Sequence, residues 1–172
     1  MAPPISIVLI NSKSNDSFSD VHRRLIARIS PVCYAYKFHL ILVNFKIDES
    51  PINFAKEIAP TTSIGKSGER LVELAKKGML RIIKLPLTGN FGKTIICTSK
   101  PDKAKVKNHE RIMAISRKEK IALVFGCDKN RNKNVRRLIE SAYAHLDVSG
   151  KGIELSIDTE MGAISSILKE SK

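Results

Sequence analysis

Apolar and polar residues follow two distinct patterns along the chain. Short unbroken apolar runs are typical of strands covered on both faces, whereas apolar residues recurring every three or four positions are typical of helices packed on a sheet. The runs predict strands at Ile5–Ile10, Phe38–Phe45, Leu80–Leu85, Thr94–Thr98 and Ile121–Phe125. The periodic segments predict helices from about Val21 and at Pro51–Ala59, Ser67–Lys77, Asp102–Lys118, Asn134–Ala144 and Thr159–Lys169, with Pro31 interrupting or kinking the first of them.

The order of these elements predicts the fold class. Strands separated by helices are expected to pair in parallel, so the predicted fold is α/β, a mostly parallel sheet with helices on both faces. Sheets of this kind bind ligands at the carboxyl ends of their strands. A chain of 172 residues, 42% of them hydrophobic, with no internal repeat and no low-complexity linker, is expected to form a single domain over residues 1–172.

The charge of the chain narrows the class of partner. Thirty basic and seventeen acidic side chains give a formal net charge of +13, and the excess lies in the middle of the chain. Such a field attracts polyanions, so RNA or DNA is the first partner to consider, and a lysine-rich solvated surface is the alternative. Two segments, KAKVKNHER and KNRNKNVRR, supply candidate phosphate-binding side chains: Lys103, Lys105, Lys107, Arg111, Lys129, Arg131, Lys133, Arg136 and Arg137.

Other kinds of site have little support. Cys33, Cys97 and Cys127 are far apart in sequence, which favours reduced thiols in a cytoplasmic protein over a disulfide framework. Neither these cysteines nor the four histidines have the spacing of metal ligands, so no metal site is predicted. No apolar run has the length of a membrane-spanning helix, and Ile5–Ile10 is interpreted as a strand rather than a signal peptide.

Glycines punctuate the last third of the chain. Gly126 ends an apolar strand, Gly150 and Gly152 lie in a loop, and Gly162 belongs to the helix that follows. Glycines at such places allow a small ligand to lie against main chain, and ordinary turns between packed elements are the alternative. His145 precedes this loop, and we interpret it as a surface residue rather than one that faces a ligand.

The carboxyl half resembles the SPOUT superfamily of S-adenosylmethionine-dependent RNA methyltransferases. ALVFG (Ala122–Gly126) matches the superfamily's glycine-ended strand, and SIDTEMGAI (Ser156–Ile164) lies where its S-L-N-V-S-x-A segment would fall. The opening IVLINSKSND, an arginine-bearing helix and FHLILVNF are similar to its first strand, polar loop, helix and second strand. TSKPD, HLDVSGKGIELS and T-x-M-G resemble a small archaeal family of uncharacterised SPOUT-like proteins.

The resemblance implies a fold, a cofactor and a partner. It implies a carboxyl-terminal deep trefoil knot, a homodimer, S-adenosylmethionine as cofactor and structured RNA, tRNA or rRNA, as substrate. Three loops would hold the cofactor, and their candidate residues are Thr98, Ser99, Gly126, Cys127, Val148, Gly150, Ile153, Leu155, Ser156, Ile157 and Thr159. Main-chain groups of Leu155 and Ile157 would hold the adenine, and Arg28, Arg24 and Asn15 are the candidate catalytic residues.

The chain also departs from the superfamily pattern. CDKNRNKN follows Gly126 where a second glycine is usual, which suggests a remodelled loop. Asp158 replaces the superfamily asparagine, where it either caps the last helix, the interpretation we favour, or approaches the sulfonium of the cofactor. Two alternatives to an RNA methyltransferase therefore stay open: a non-catalytic RNA-binding module with a decayed cofactor pocket, and an assembly protein that binds an acidic partner.

Overall fold

The computed structural model describes residues 2–11, 18–61, 67–87, 89–129 and 132–169. In these ranges the strands and α-helices follow in the order β1 (Ile5–Ile10), α1 (Asp20–Tyr36), β2 (His39–Val43), α2 (Pro51–Ile58), α3 (Ser67–Lys76), β3 (Leu80–Ile83), β4 (Lys93–Cys97), α4 (His109–Ser116), β5 (Ile121–Phe125), α5 (Lys133–Ser141), β6 (Ala144–Leu146) and α6 (Ile157–Leu168). Short 3₁₀ helices lie at Ala59–Thr61 and Gly89–Phe91. Within the described ranges, no helix has the length and apolar character needed to cross a membrane.

The described strands form one sheet in the order β3-β2-β1-β5-β4-β6. All five pairings between neighbouring strands are parallel, so all the strands end at the same edge of the sheet. The central strands β1 and β5 are buried over their whole length, as their unbroken apolar runs predict. The predicted α/β class with a parallel sheet is confirmed.

Helices cover both faces of the sheet. Along β1, Ile7 and Leu9 join the core that α1, α2, α3, α4 and α6 cover, whereas Val8 and Ile10 join the core beneath α5. This alternation follows from the two-residue period of a strand, which sends successive side chains to opposite faces. Among the described helices, one therefore shields one face of the sheet and five shield the other.

The predicted interruption of the first helix at Pro31 does not occur. Helix α1 continues through Pro31 and ends at Tyr36, followed by Lys37 in a left-handed conformation, with φ of 59°, whose N–H donates to the Cys33 carbonyl. Proline removes one helical hydrogen bond, but the buried face of α1 continues past it with Cys33, and this packing holds the helix together.

The helix predicted from Asp102 begins later. Helix α4 begins at His109, and the Asn108 side chain caps it by accepting a hydrogen bond from the Arg111 N–H at 3.0 Å. Upstream, the Asp102 carboxylate accepts from the Ala104 N–H at 2.9 Å and forms a local turn. Aspartate and asparagine side chains compete with helical hydrogen bonds in this way, which explains the shorter helix.

Strand β6, which the sequence pattern missed, is hydrogen-bonded to earlier chain on both of its sides. On one side the Thr98 N–H donates to the Leu146 carbonyl at 2.9 Å, which continues the pairing with β4. On the other side the Lys107 N–H donates to the His145 carbonyl at 2.9 Å, and the His145 N–H donates to the Lys105 carbonyl at 3.0 Å. The segment that leaves β4 therefore passes around β6 before it enters α4.

The predicted surface position of His145 is also wrong, because its side chain is buried. Its Nδ1 accepts a hydrogen bond from the Asp102 N–H at 3.0 Å, so the neutral ring carries its proton on Nε2, which lies 2.9 Å from the Ile139 carbonyl. Both ring nitrogens thus bind backbone. His145 connects β6 to the segment after β4 and to α5, which is a structural role.

Glycine is required more strictly at Gly126 than at Gly150. Both have positive φ, of 93° and 66°, but a Cβ on Gly126 would lie 2.6 Å from the Ile10 carbonyl oxygen, whereas one on Gly150 would meet open space. We expect Gly150→Ala to lower the free energy of unfolding by about 1 kcal/mol and Gly126→Ala to lower it by roughly 1–3 kcal/mol more, because of the added clash. Urea unfolding of both variants measures this difference, and equal losses would contradict it.

Candidate functional site

A pocket of about 270 Å³ opens at the carboxyl edge of the sheet. Three connections form it: the segment after β4, the segment after β5, and the loop that leads into α6. Its lining residues are Cys97, Ser99, Gly126, Asp128, Lys129, Glu154, Leu155, Ser156, Ile157 and Glu160. Parallel pairing brings these three segments to one edge, because β4, β5 and β6 are close neighbours in the sheet.

The loop before α6 is ordered by its own side chains. The Asp147 carboxylate accepts hydrogen bonds from the Ser149 hydroxyl at 2.8 Å and from the Gly152 N–H at 2.7 Å. The Ser149 hydroxyl oxygen in turn accepts from the N–H groups of Lys151 and Ile153, both at 3.1 Å. These bonds hold the main chain in one shape beside the pocket, as a backbone-built binding site requires.

Side chains also join the three connections to one another. The Thr98 hydroxyl, after β4, donates to the Asp128 carboxylate at 2.9 Å, and its oxygen accepts from the Lys100 N–H at 3.1 Å. The Lys129 ammonium, after β5, forms a 2.7 Å ion pair with the Glu154 carboxylate before α6. The pocket therefore has walls that support each other across distant parts of the sequence.

The electrostatics of the pocket are dominated by carboxylates. Burial, together with repulsion from Asp128, Asp147 and Glu154, raises the pKa of Glu160 to about 7. The hydrogen bond and the charge of Lys129 hold the pKa of Glu154 below its usual range. A carboxyl group with a raised pKa among other acids marks a site that favours a positively charged ligand.

The first turn of α6 is connected to α1. The Asp158 carboxylate accepts a hydrogen bond from the Arg28 guanidinium at 2.9 Å. Burial acts to raise the pKa of Asp158, but hydrogen bonds from Ser156, Arg28 and the Thr159 N–H outweigh it and hold the pKa below its usual range. Ser156 occupies the N-cap position, so Asp158 is a first-turn acid and not the cap that we favoured from sequence.

Several of the predicted cofactor residues meet at this pocket. The pocket lining includes Ser99, Gly126, Leu155, Ser156 and Ile157, whereas it does not include Thr98, Cys127, Val148, Gly150, Ile153 and Thr159. Thr98 and Cys127 are buried beside the pocket, and Ile153 is 59% exposed.

The sequence suggested the candidate catalytic residues but not the acidic residues that line the pocket. Arg28 and Arg24 lie exposed on α1, Arg28 in its ion pair with Asp158, and Asn15 lies outside the described residues. Sequence reasoning missed the acids Asp128, Glu154 and Glu160. Their only local signal is an acidic residue near each predicted loop, and no periodic pattern singles them out.

The predicted RNA-binding side chains divide into exposed and engaged groups. Lys103, Arg111, Lys133, Arg136 and Arg137 are exposed, and Arg131 lies outside the described residues. The Lys105 ammonium donates to the Ala142 carbonyl at 2.7 Å, the Lys107 ammonium lies 5.4 Å from the centre of the Tyr143 ring, and Lys129 pairs with Glu154. The exposed side chains carry the positive surface charge that would attract a polyanion.

Comparison with known proteins identifies the family. Residues 5–169 match the family described as "Protein of unknown function (DUF531)". The chain belongs to the DUF531 family. This DUF531 chain is also 30% identical over 164 residues to uncharacterized protein MJ0224 of Methanocaldococcus jannaschii, covering 95% of this chain and 92% of that protein.

The DUF531 chain shares its fold with solved structures that are described as a methylase family protein and a SpoU methyltransferase. It matches the structure of a probable methylase family protein from Haemophilus influenzae Rd KW20 with a TM-score of 0.65 and 20% identity, over 98% of this chain and 64% of that one. It matches the SpoU methyltransferase AviRb from Streptomyces viridochromogenes with a TM-score of 0.51 and 12% identity, over 99% and 60%. The chain thus spans less than two thirds of either structure, and the predicted resemblance is confirmed as a likeness of fold.

The raised pKa of Glu160 predicts a dependence of stability on pH. Because its folded-state pKa of about 7 lies above the ordinary 4.5, the folded state binds the proton more tightly, and stability falls as pH rises between these values. We expect Glu160→Gln to raise the free energy of unfolding by about 1–2 kcal/mol at pH 8 and hardly to change it at pH 4. Urea unfolding at both pH values measures this effect, with exposed Glu57→Gln as the matched control. A gain at pH 8 no larger than that of the control would contradict the prediction.

Proposed function

We propose that this protein is an S-adenosylmethionine-dependent methyltransferase that acts on structured RNA, tRNA or rRNA. The observation that carries the proposal is the convergence of three connections on one pocket, at the sheet edge where the resemblance to SPOUT enzymes implies cofactor loops. The solved structures with this fold include a probable methylase family protein and a SpoU methyltransferase.

The pocket has the chemistry that this cofactor needs. S-adenosylmethionine carries a positive sulfonium and an ammonium, and the carboxylates of Asp128, Glu154 and Glu160 line the pocket. Carboxylate oxygens also accept hydrogen bonds from ribose hydroxyls. Leu155 and Ile157 would provide the main-chain groups and apolar surface for the adenine, so the residues present fit the cofactor.

The mechanism depends mainly on positioning. When bound, S-adenosylmethionine would supply a methyl group attached to a sulfonium. The acceptor atom would attack the methyl carbon in line with the carbon–sulfur bond, and the sulfur would leave with the electron pair as a neutral thioether. The three connections would exclude water and would hold the acceptor atom within reach of the methyl group, at the roughly 3 Å that such a displacement needs. Glu160, with its pKa of about 7, is partly ionised at neutral pH and can take the proton that the acceptor loses.

Arg28 and Arg24 would orient the RNA. Both lie exposed on α1, and the ion pair between Arg28 and Asp158 connects this helix to the first turn of α6, which lines the pocket. A guanidinium there can bind a phosphate near the acceptor.

The proposal includes a homodimer and a threaded carboxyl terminus. The enclosure of β6 between β4 and Lys105–Lys107 supports threading, because α6 continues from chain that already lies inside the earlier connection. Helix α6 then returns across the sheet to pack on α1 and α4.

One observation favours the non-catalytic alternative. The ion pair between Lys129 and Glu154 joins two walls of the pocket at 2.7 Å, and the remodelled CDKNRNKN loop supplies the lysine. If this pair closes the pocket, the protein would bind RNA without binding the cofactor, as a module with a decayed site.

Cofactor binding distinguishes the two functions. We expect saturable micromolar binding of S-adenosylmethionine by isothermal titration, and a loss of about 100-fold or more in Ser99→Arg, because this change places a cation and added volume in the pocket. The matched control is Ala114→Arg, which adds the same side chain at an exposed position of α4 and should bind as the parent does. Absence of binding to the parent protein would favour the non-catalytic module.

A further inference from the structure

Two cavities lie near the ends of β2 and β3, the larger at the carboxyl edge of the sheet and the smaller along α5, where it reaches Thr94 near the start of β4. The larger, of about 530 Å³, is lined by the ends of β2 and β3 and by the start of α5. The smaller, of about 230 Å³, lies between Leu85–Leu87 and the side of α5. Leu85 and Asn134 line both cavities, so the two adjoin.

The larger cavity is built to receive an anion. Lys46 and Lys84 line it with exposed side chains, and neither forms an ion pair with any carboxylate in the described part of the chain. The amino terminus of α5, capped by the Asn132 side chain accepting from the Val135 N–H at 2.9 Å, forms another wall. Asp48 is the acidic side chain in this lining, so the local charge is positive.

The geometry of this cavity is fixed by Asn44. Its backbone is left-handed, with φ of 61°, and its side-chain oxygen accepts a hydrogen bond from the Leu85 N–H at 3.1 Å. The Asn11 side chain donates to the Asn44 carbonyl at 3.2 Å, and the Asn44 N–H donates to the Ile83 carbonyl at 3.1 Å. The ends of β1, β2 and β3 are thereby held together, with Lys46 and Lys84 on either side.

The smaller cavity is of a different kind. Leu85, Pro86, Leu87 and Leu138 give it an apolar lining, while Arg137 adds a planar donor at the same place. A flat ring with polar edges fits such a lining, and a guanidinium both stacks on nucleobases and donates hydrogen bonds to them. An anion cavity joined to an apolar slot matches the two halves of a nucleotide.

We propose that the two cavities form a subsite for one unpaired nucleotide of the RNA substrate, with its phosphate at Lys46, Lys84 and the start of α5 and its base beside Leu85–Leu87 and Arg137. The inference rests on the proposed action on RNA. Three strand intervals separate this subsite from the acidic pocket, roughly 14 Å along the sheet edge. An RNA strand lying along that edge reaches both sites. The phosphate bound at the subsite then lies away from the carboxylates of the acidic pocket.

Binding of a nucleotide tests the subsite directly. Cytidine 5′-monophosphate is the probe, because the cofactor carries adenine and its site would attract an adenine nucleotide. We expect NMR shifts at the backbone amides of residues 46–48, 85, 87 and 132–138, at least tenfold weaker binding of cytidine, and a tenfold or greater reduction in affinity in Lys46→Glu/Lys84→Glu. Shifts confined to the acidic pocket would overturn the subsite.

RNA binding gives a second measurement on the same variant. The control is Lys56→Glu/Lys118→Glu, which reverses two exposed charges away from the cavities. In Lys46→Glu/Lys84→Glu we expect a shallower slope of the logarithm of the RNA association constant against the logarithm of the salt concentration. The slope should fall by about 0.7–0.9 for each phosphate that the protein no longer neutralises, and by more than in the control. Equal reductions in the two variants would overturn the subsite.

The outcomes for the two proposals are separable. If the parent protein binds S-adenosylmethionine but cytidine 5′-monophosphate binds the charge-reversed variant equally well, the subsite fails and the methyltransferase proposal stands. If S-adenosylmethionine does not bind but the nucleotide shifts map to the two cavities and disappear in the variant, the subsite stands and the enzyme proposal fails. Far-UV circular dichroism and urea unfolding show that the variants are folded in either case.

Discussion

The position of β6 is the constraint on which the acidic pocket depends. Backbone hydrogen bonds on both sides hold this three-residue strand between β4 and the segment at Lys105–Lys107, and the buried ring of His145 adds bonds to Asp102 and toward Ile139. Because β6 is fixed there, the loop that follows begins beside the ends of β4 and β5. The walls of the pocket meet for this reason, and the bonds of Asp147 and Ser149 then set the local shape of the loop.

Charge is separated along one edge of the sheet. At the ends of β4 and β5 the carboxylates of Asp128, Glu154 and Glu160 make a cavity that suits a cation, and burial together with repulsion from the other acids raises the pKa of Glu160. At the ends of β2 and β3, Lys46 and Lys84 make a cavity that suits an anion. This separation favours the binding of each ligand at its own site, because a cation is repelled from the cavity at Lys46 and Lys84 and an anion is repelled from the acidic pocket.

The fold could be predicted from sequence to the extent that its signals are local. The apolar run at Ile121–Phe125 defines a buried strand, and Gly126 after it reflects a close approach to the Ile10 carbonyl. Strand β6 could not be predicted, because three residues make no pattern and its partners lie some 40 residues earlier. The acids of the pocket could not be predicted for the same reason. The pKa of Glu160 is raised because the fold buries it and brings it near Asp128 and Asp147, and no local spacing in the sequence shows this.

The enclosure of β6 also has a consequence for how the chain is made. The backbone groups of Lys105 and Lys107 acquire their partner only after His145 has left the ribosome, and α6 must then cross back to α1. During synthesis the outer part of the sheet therefore stays incomplete until the segment around His145 has emerged. We expect this part to fold more slowly than local structure does, because closing contacts between distant positions costs more conformational entropy.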